Sequence, residues 1–330
     1  MVKSAIMPRK VEVSHKTVIF TVFFLLFLWF LFYIKDIILE LFVALLLMTI
    51  LEPLVNLLSK IKIPRGVSVL ISYILAFGIL GGVIALIIPA LVEQTTSFVT
   101  ALPLYISNLG ISSYISGSLV SDLLARLGNL PGEIFKFTIS IFSNVISVAT
   151  VLVFAFYMLL AREKLEDQLG FFFGEEKKKE LGELINRLEN RLGGWARGEL
   201  TLMFLVGLAT YIGLALIGIP FALPLAILAG LFEIIPFLGP IVAAIPGIII
   251  GFGISPFSGV AVVILAFLIQ QLENYVLIPK IMEKSVGVSP IITLIALAIG
   301  ARFAGIVGMI ISIPTVITLQ VLAKTYLFKE

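Results

Sequence analysis

Glu233 lies in FEIIPFLGPIVAAIP (residues 232–246) and Glu273 in IQQLENYVLIPK (269–280); both are carboxylates in the most apolar third of the chain. Arg302 is the cation of a second stretch in that third, also broken by Gly and Pro. A lone charge at mid-bilayer costs at least about 2.5–3.5 kcal/mol, so each such group must face protein or water and find a partner. Three roles are open to Glu233. It pairs with Arg302, it carries a proton or cation through a transport cycle, or it merely caps a helix break. Glu273, with Gln270, Gln271 and Asn274 beside it, is a second proton or cation group or a residue near the inner interface. Earlier in the chain, Ser140, Ser143, Asn144, Ser147 and Thr150 share one helix face. Such a stripe lines a solute path, or it hydrogen-bonds across a helix interface at about 0.6–2 kcal/mol per residue.

Other chemistries are excluded by residue type. Without cysteine there is no disulfide, thiolate metal site or cysteine nucleophile. The single histidine, His15, sits in a basic leader, which removes imidazole catalysis and multi-histidine metal sites. Intramembrane proteolysis would need HExxH, a Ser/His pair or paired membrane aspartates. The only aspartates, Asp36, Asp122 and Asp167, fall outside the apolar runs, and no GxxxxGK[ST] loop for ATP occurs. A net charge of +3 is too small to suggest nucleic acid. No enzyme activity and no cofactor are expected, only coupling to H+ or Na+.

The elements that must hold these groups are membrane helices. With 60% hydrophobic and 13% charged residues and a mean hydropathy of +1.17, the 330-residue chain cannot cover itself with a water-facing surface. Val18–Ile34, Val67–Leu91 and Phe137–Ala161 carry no charge, and about 20 such residues cross a bilayer. The expected organisation is a cytoplasmic leader (1–16), three transmembrane helices (17–93), an extracytoplasmic amphipathic segment (94–136) and a fourth span (137–161). A cytoplasmic amphipathic helical segment (162–200) and a transport region (201–330) follow. Lys3, Arg9, Lys10 and Lys16, then Lys60, Lys62 and Arg65, place both termini in the cytoplasm of a cytoplasmic (inner) membrane protein. In 162–200, Leu181, Leu184, Leu188, Leu192 and Trp195 form one apolar stripe.

The transport region repeats itself. GIPFALPLAILAGLFEIIPFLGPIVAAIPG from Gly218 can be laid on GVSPIITLIALAIGARFAGIVGMIISIPT from Gly287, with Glu233 on Arg302, Gly239 on Gly308 and an Ile-Pro pair closing each. A full-length apolar helix precedes each copy, and the flanking charges make the two helices run in opposite directions. The runs Phe221–Phe232 and Val288–Ile299 are too short to cross. The expected fold is therefore all-α and polytopic, with two inverted re-entrant helical hairpins, 221–253 and 288–326. Paired short segments interrupted by Gly and Pro are the sequence pointer to a secondary transporter's site.

At these motifs the chain resembles the autoinducer-2 exporter family of membrane transporters, over nearly its whole length. The family's Glu-x-x-Pro-x-x-Gly-Pro matches as Glu233, Pro236, Gly239 and Pro240. Its Leu-Glu-Asn…Pro matches as Leu272, Glu273, Asn274 and Pro279, and its Val-Gly…Pro as Val286, Gly287 and Pro290. Gly300–Ala301 stands where the family usually has Gly-Gly. The resemblance implies a homo-oligomeric, pentameric permease with an elevator-like moving domain. Members are associated with export of the furanone autoinducer-2, others with sodium/proton exchange.

The reading is a secondary transporter exporting a small polar, autoinducer-2-like solute by alternating access. A sodium/proton antiporter of the same fold, or a non-transporting channel or scaffold, is the alternative. Its partners are a small-molecule or cation substrate, membrane lipid and further copies of itself. The expected substrate- or ion-binding residues are Glu233, Pro236, Gly239, Pro240, Glu273, Asn274, Arg302, Gly305 and Asn144. Ile219→Cys and Val286→Cys, made singly in this cysteine-free chain, should react with an impermeant thiol reagent from opposite membrane faces; labelling from one face would remove the inverted repeat.

Overall fold

The computed structural model describes residues 15–108, 145–282 and 289–327, and among these every regular element is a helix. In chain order they are α1 (His15–Tyr33), α2 (Lys35–Lys60), α3 (Arg65–Asn108) and α4 (Val145–Ala161). A single 3-10 turn, Arg162–Lys164, leads to α5 (Leu165–Phe173) and α6 (Glu175–Ile217). Then come α7 (Ala222–Phe232), α8 (Leu238–Ile254), α9 (Pro256–Leu272), a π turn (Glu273–Leu277), α10 (Ile278–Met282) and α11 (Pro290–Leu327). Among the described residues, seven helical stretches are long and apolar enough to cross a membrane. The chain is thus a multi-pass membrane protein. α1 shows its character most simply: it is apolar on every side and buries none of its residues, as a lipid-facing helix does.

Two segment boundaries differ from the sequence reading. α3 does not stop near residue 93 but continues unbroken to Asn108. Its added turns are held by packing: Phe98 is buried against the Ile219–Leu225 region, meeting the Phe221 ring edge-on at 5.7 Å. Likewise the amphipathic segment 162–200 is not separate from the span after it. α6 runs through both as one 43-residue helix, about 65 Å long at 1.5 Å per residue.

α6 is the hub, packing against α2, α5, α7, α9, α10 and α11. Its contact with α2 depends on a proline. Pro53, inside α2, has no N–H, so the carbonyl four residues back, that of Thr49, loses its helical partner. The guanidinium of Arg197 on α6 donates to that oxygen. Gly193, one turn earlier, leaves the space; a Cβ there would sit 2.9 Å from the same carbonyl.

The contact with α7 is closer still. A Cβ on Gly230 would lie 2.6 Å from the Met203 carbonyl, and one on Gly207 3.2 Å from that of Ala226. Only bare backbone fits, the usual device for bringing membrane helices together. After α7 the chain reverses over residues 233–237 and α8 returns against it, so close that a Cβ on Gly239 would overlap the Phe232 carbonyl. The turn is tight. The Leu238 N–H donates to the Pro236 carbonyl at 2.8 Å across Phe237, whose φ of 67° and ψ of −47° are those of a strained γ-turn.

α11 also reverses. Ala304 and Gly305 leave helical geometry (Gly305 φ 58°), and backbone atoms of Gly300 and Gly308 touch, a Cβ on either falling 2.3 Å or less from the other's oxygen. Eight residues of straight helix would separate them by about 12 Å. With Gly218 laid on Gly287, Pro236 falls on Gly305, so the two reversals occupy matching places in the repeat. The arms after them are unequal. α8 has 17 residues, whereas Val307–Leu327 has 21 and is long enough to cross.

Gly230→Val should break the α6–α7 contact, because the added Cβ and its two methyls meet fixed backbone. The expected loss is at least about 1–3 kcal/mol, read as a lower thermal midpoint of the purified protein in detergent. An unchanged midpoint would mean that α7 is not held there.

A buried carboxyl cluster at the first reversal

The antiparallel register of α6 and α7 fixes what comes next. Ala226 faces Gly207, and Gly230 faces Met203. One further turn along both helices carries α7 to Glu233 and α6 back to Glu199. Both are buried, 3% and 6% exposed. Glu199 occupies a core position, since Leu192, Trp195, Glu199, Leu202 and Val206 recur every three or four residues and all are buried.

The third member comes from the end of α9. There the helix widens into the π turn Glu273–Leu277, a distortion often found at functional sites. Glu273, its first residue, is 5% exposed. Its carboxylate accepts a 2.9 Å hydrogen bond from Gln270 Nε2 and lies within hydrogen-bonding reach of Glu233, with Glu199 close enough to interact with both. The Glu233 Oε2 atom is buried without a hydrogen-bond partner.

No lysine, arginine or histidine balances the cluster: none of the three carboxyls takes part in an ion pair among the described residues. A carboxylate oxygen only accepts, so two carboxyls hold together through a proton on one of them or a cation between them. Among the described residues, no three acidic or histidine side chains are close enough together to enclose a metal ion. The arrangement suits a proton held by two oxygens, or a cation between them, with the amide of Gln270 orienting one oxygen.

The other sequence-picked residues fall in different places. Pro236 and Pro240 are half-buried in the reversal, and Gly239 is buried where α8 meets Phe232. Asn274 is exposed one residue beyond Glu273. Arg302 and Gly305 are exposed at the second reversal, and no ion pair joins Arg302 to Glu233. Glu233 meets another carboxyl instead. Asn144 lies outside the described residues, as do Ser140 and Ser143.

Glu199 was not among the expected site residues, because charge composition assigned it to the hydrophilic segment. The signal that finds it is the apolar stripe of that segment. Carried one step past Trp195, the stripe lands on Glu199.

A family model described as AI-2E family transporter matches residues 18–328. The Bacillus subtilis protein YueF, which bears the name of a candidate transport protein, is 30% identical over 307 residues, covering 86% of this chain and 83% of its own. YrrI of the same organism, named likewise, is 26% identical over 325 residues, covering 93% and 92%. A similarly named relative in Alkalihalophilus pseudofirmus is 28% identical over 329 residues, covering 90% and 84%. Matched from its first span to its last helix, this chain belongs to the AI-2E family of transporters.

Proposed function

We propose that this protein is a proton-coupled secondary transporter that exports a small polar, autoinducer-2-like solute across the cytoplasmic membrane. The observation that carries the reading is the Glu233–Glu273 pair, two buried carboxyls beside a backbone reversal, with no ion-pair partner among the described residues. Backbone that leaves helical geometry at membrane depth survives only against protein or a wet cavity. Here such backbone sits next to groups that carry a proton.

In this proposal residues 221–253 and 288–326 are re-entrant hairpins entering from opposite faces, and they move together as the elevator of a homo-oligomer, a pentamer. The matching positions of the two reversals support the repeat, and the 11 residues of α7, about 16 Å, fall well short of a hydrocarbon core of about 30 Å. Both termini face the cytoplasm. Solute binds near Pro236, Gly239, Pro240, Asn274, Arg302 and Gly305, and Asn144 belongs to the same path. Transport needs no covalent step. Sodium/proton exchange is the second reading, and it is favoured by the third carboxyl, Glu199, which gives the cluster more negative charge than one proton balances.

Glu233→Gln keeps shape and hydrogen bonding but cannot titrate. In proteoliposomes it should retain counterflow of labelled solute while flux driven by a pH gradient falls by at least about tenfold; Glu273→Gln should do the same. Gradient-driven flux that persists in both variants would rule the pair out as the coupling group. Proton movement driven by a sodium gradient without added solute would select the exchanger.

A further inference from the structure

Opposite the carboxyl cluster, on the other side of α6, a cleft of about 440 Å3 lies between α6 and the C-terminal half of α2. Its walls are polar, and the polar groups are not evenly divided between donors and acceptors. Of the two carboxylates that line it, Glu189 accepts from Arg162 Nε at 2.7 Å and Glu52 lies 3.8 Å from the same nitrogen. The amide oxygens are taken too. Asn56 Oδ1 accepts from Arg65 at 3.1 Å, and Asn186 Oδ1 accepts from Arg162. Each of these asparagines keeps its NH2 group as a further donor on the cleft lining.

The cations are left over as well. Lys60 and Arg197 line the cleft, and neither forms an ion pair among the described residues. Arg197 gives one N–H to the Thr49 carbonyl, leaving others of its five. Asn190 adds a further amide at the rim. Counted over its lining, the cleft holds three cations against two carboxylates, a net charge of +1, and the N–H groups of Lys60, Arg197 and the asparagines face into a polar wall.

We propose that this cleft is a binding site for a phosphate ester of a small polyol. A phosphate group brings three acceptor oxygens and negative charge, matching a donor-rich, net positive wall with more contacts than the two oxygens of a carboxylate supply. The volume leaves room for the organic part. The same chemistry is found in a soluble sugar or glycerol phosphate and in a phospholipid headgroup, and the site is separate from the carboxyl cluster.

The test uses the purified full chain. Calorimetric titration with glycerol 3-phosphate should give saturable binding, and Lys60→Gln and Asn190→Asp should each weaken it by about tenfold, the effect of one charge-assisted contact. Both residues are exposed, so an unchanged thermal midpoint shows that folding is intact. If phosphatidylglycerol is retained in native mass spectrometry, is lost in both variants, and glycerol 3-phosphate does not bind, the ligand is the lipid headgroup. Glycerate binding as tightly as glycerol 3-phosphate would overturn the phosphate assignment. So would unaltered binding in both variants, or no binding of either phosphate ester.

Discussion

The fold turns on the bare-backbone contact between Gly207 and Gly230. Lipid tails are as apolar as leucine, so membrane helices gain little from apolar burial alone and associate through close packing and polar contacts. Here two glycines let α6 and α7 approach until a carbonyl of each lies where the other's side chain would be. The register set by that contact decides which residues meet one turn later, and those are Glu199 and Glu233. Two absent side chains thus bring Glu199 and Glu233 to one level, where the end of α9 adds Glu273.

Burying acidic groups in such a place costs several kcal/mol per charge unless they are paired or protonated. Among the described residues the partners are Gln270 and other carboxyls, with no lysine or arginine in an ion pair to them. An arginine partner would fix the charge and lock the pair. A partner of the same sign holds only with a proton or a cation between the two carboxyls.

Much of this was legible in the sequence. Charge-free runs gave the spans, and the Gly/Pro punctuation located both reversals, because those residues are disfavoured inside helices for reasons local to the backbone. The burial of Glu233 followed from its neighbours. What composition could not reveal was continuity and partnership. α6 is one helix because its apolar stripe persists beneath changing surface charge, so an average over residues 162–200 hid Glu199 within a polar segment. Arg302 was aligned with Glu233 in the repeat, but equivalent positions in a repeat need not touch. The extension of α3 to Asn108 rests on contacts of Phe98 and Tyr105 with elements more than a hundred residues away, which no local pattern encodes.

Arg197 and Glu199 stand two positions apart on α6, and at 100° per residue their side chains point to nearly opposite sides of one axis. One reaches the carbonyl that Pro53 leaves free in α2; the other faces the carboxyls at the end of α9 and α7. An unbroken helix has no joint between those two levels, so it behaves as a spindle. Any roll about its long axis withdraws the guanidinium from Thr49 in the same motion that carries Glu199 past Glu273.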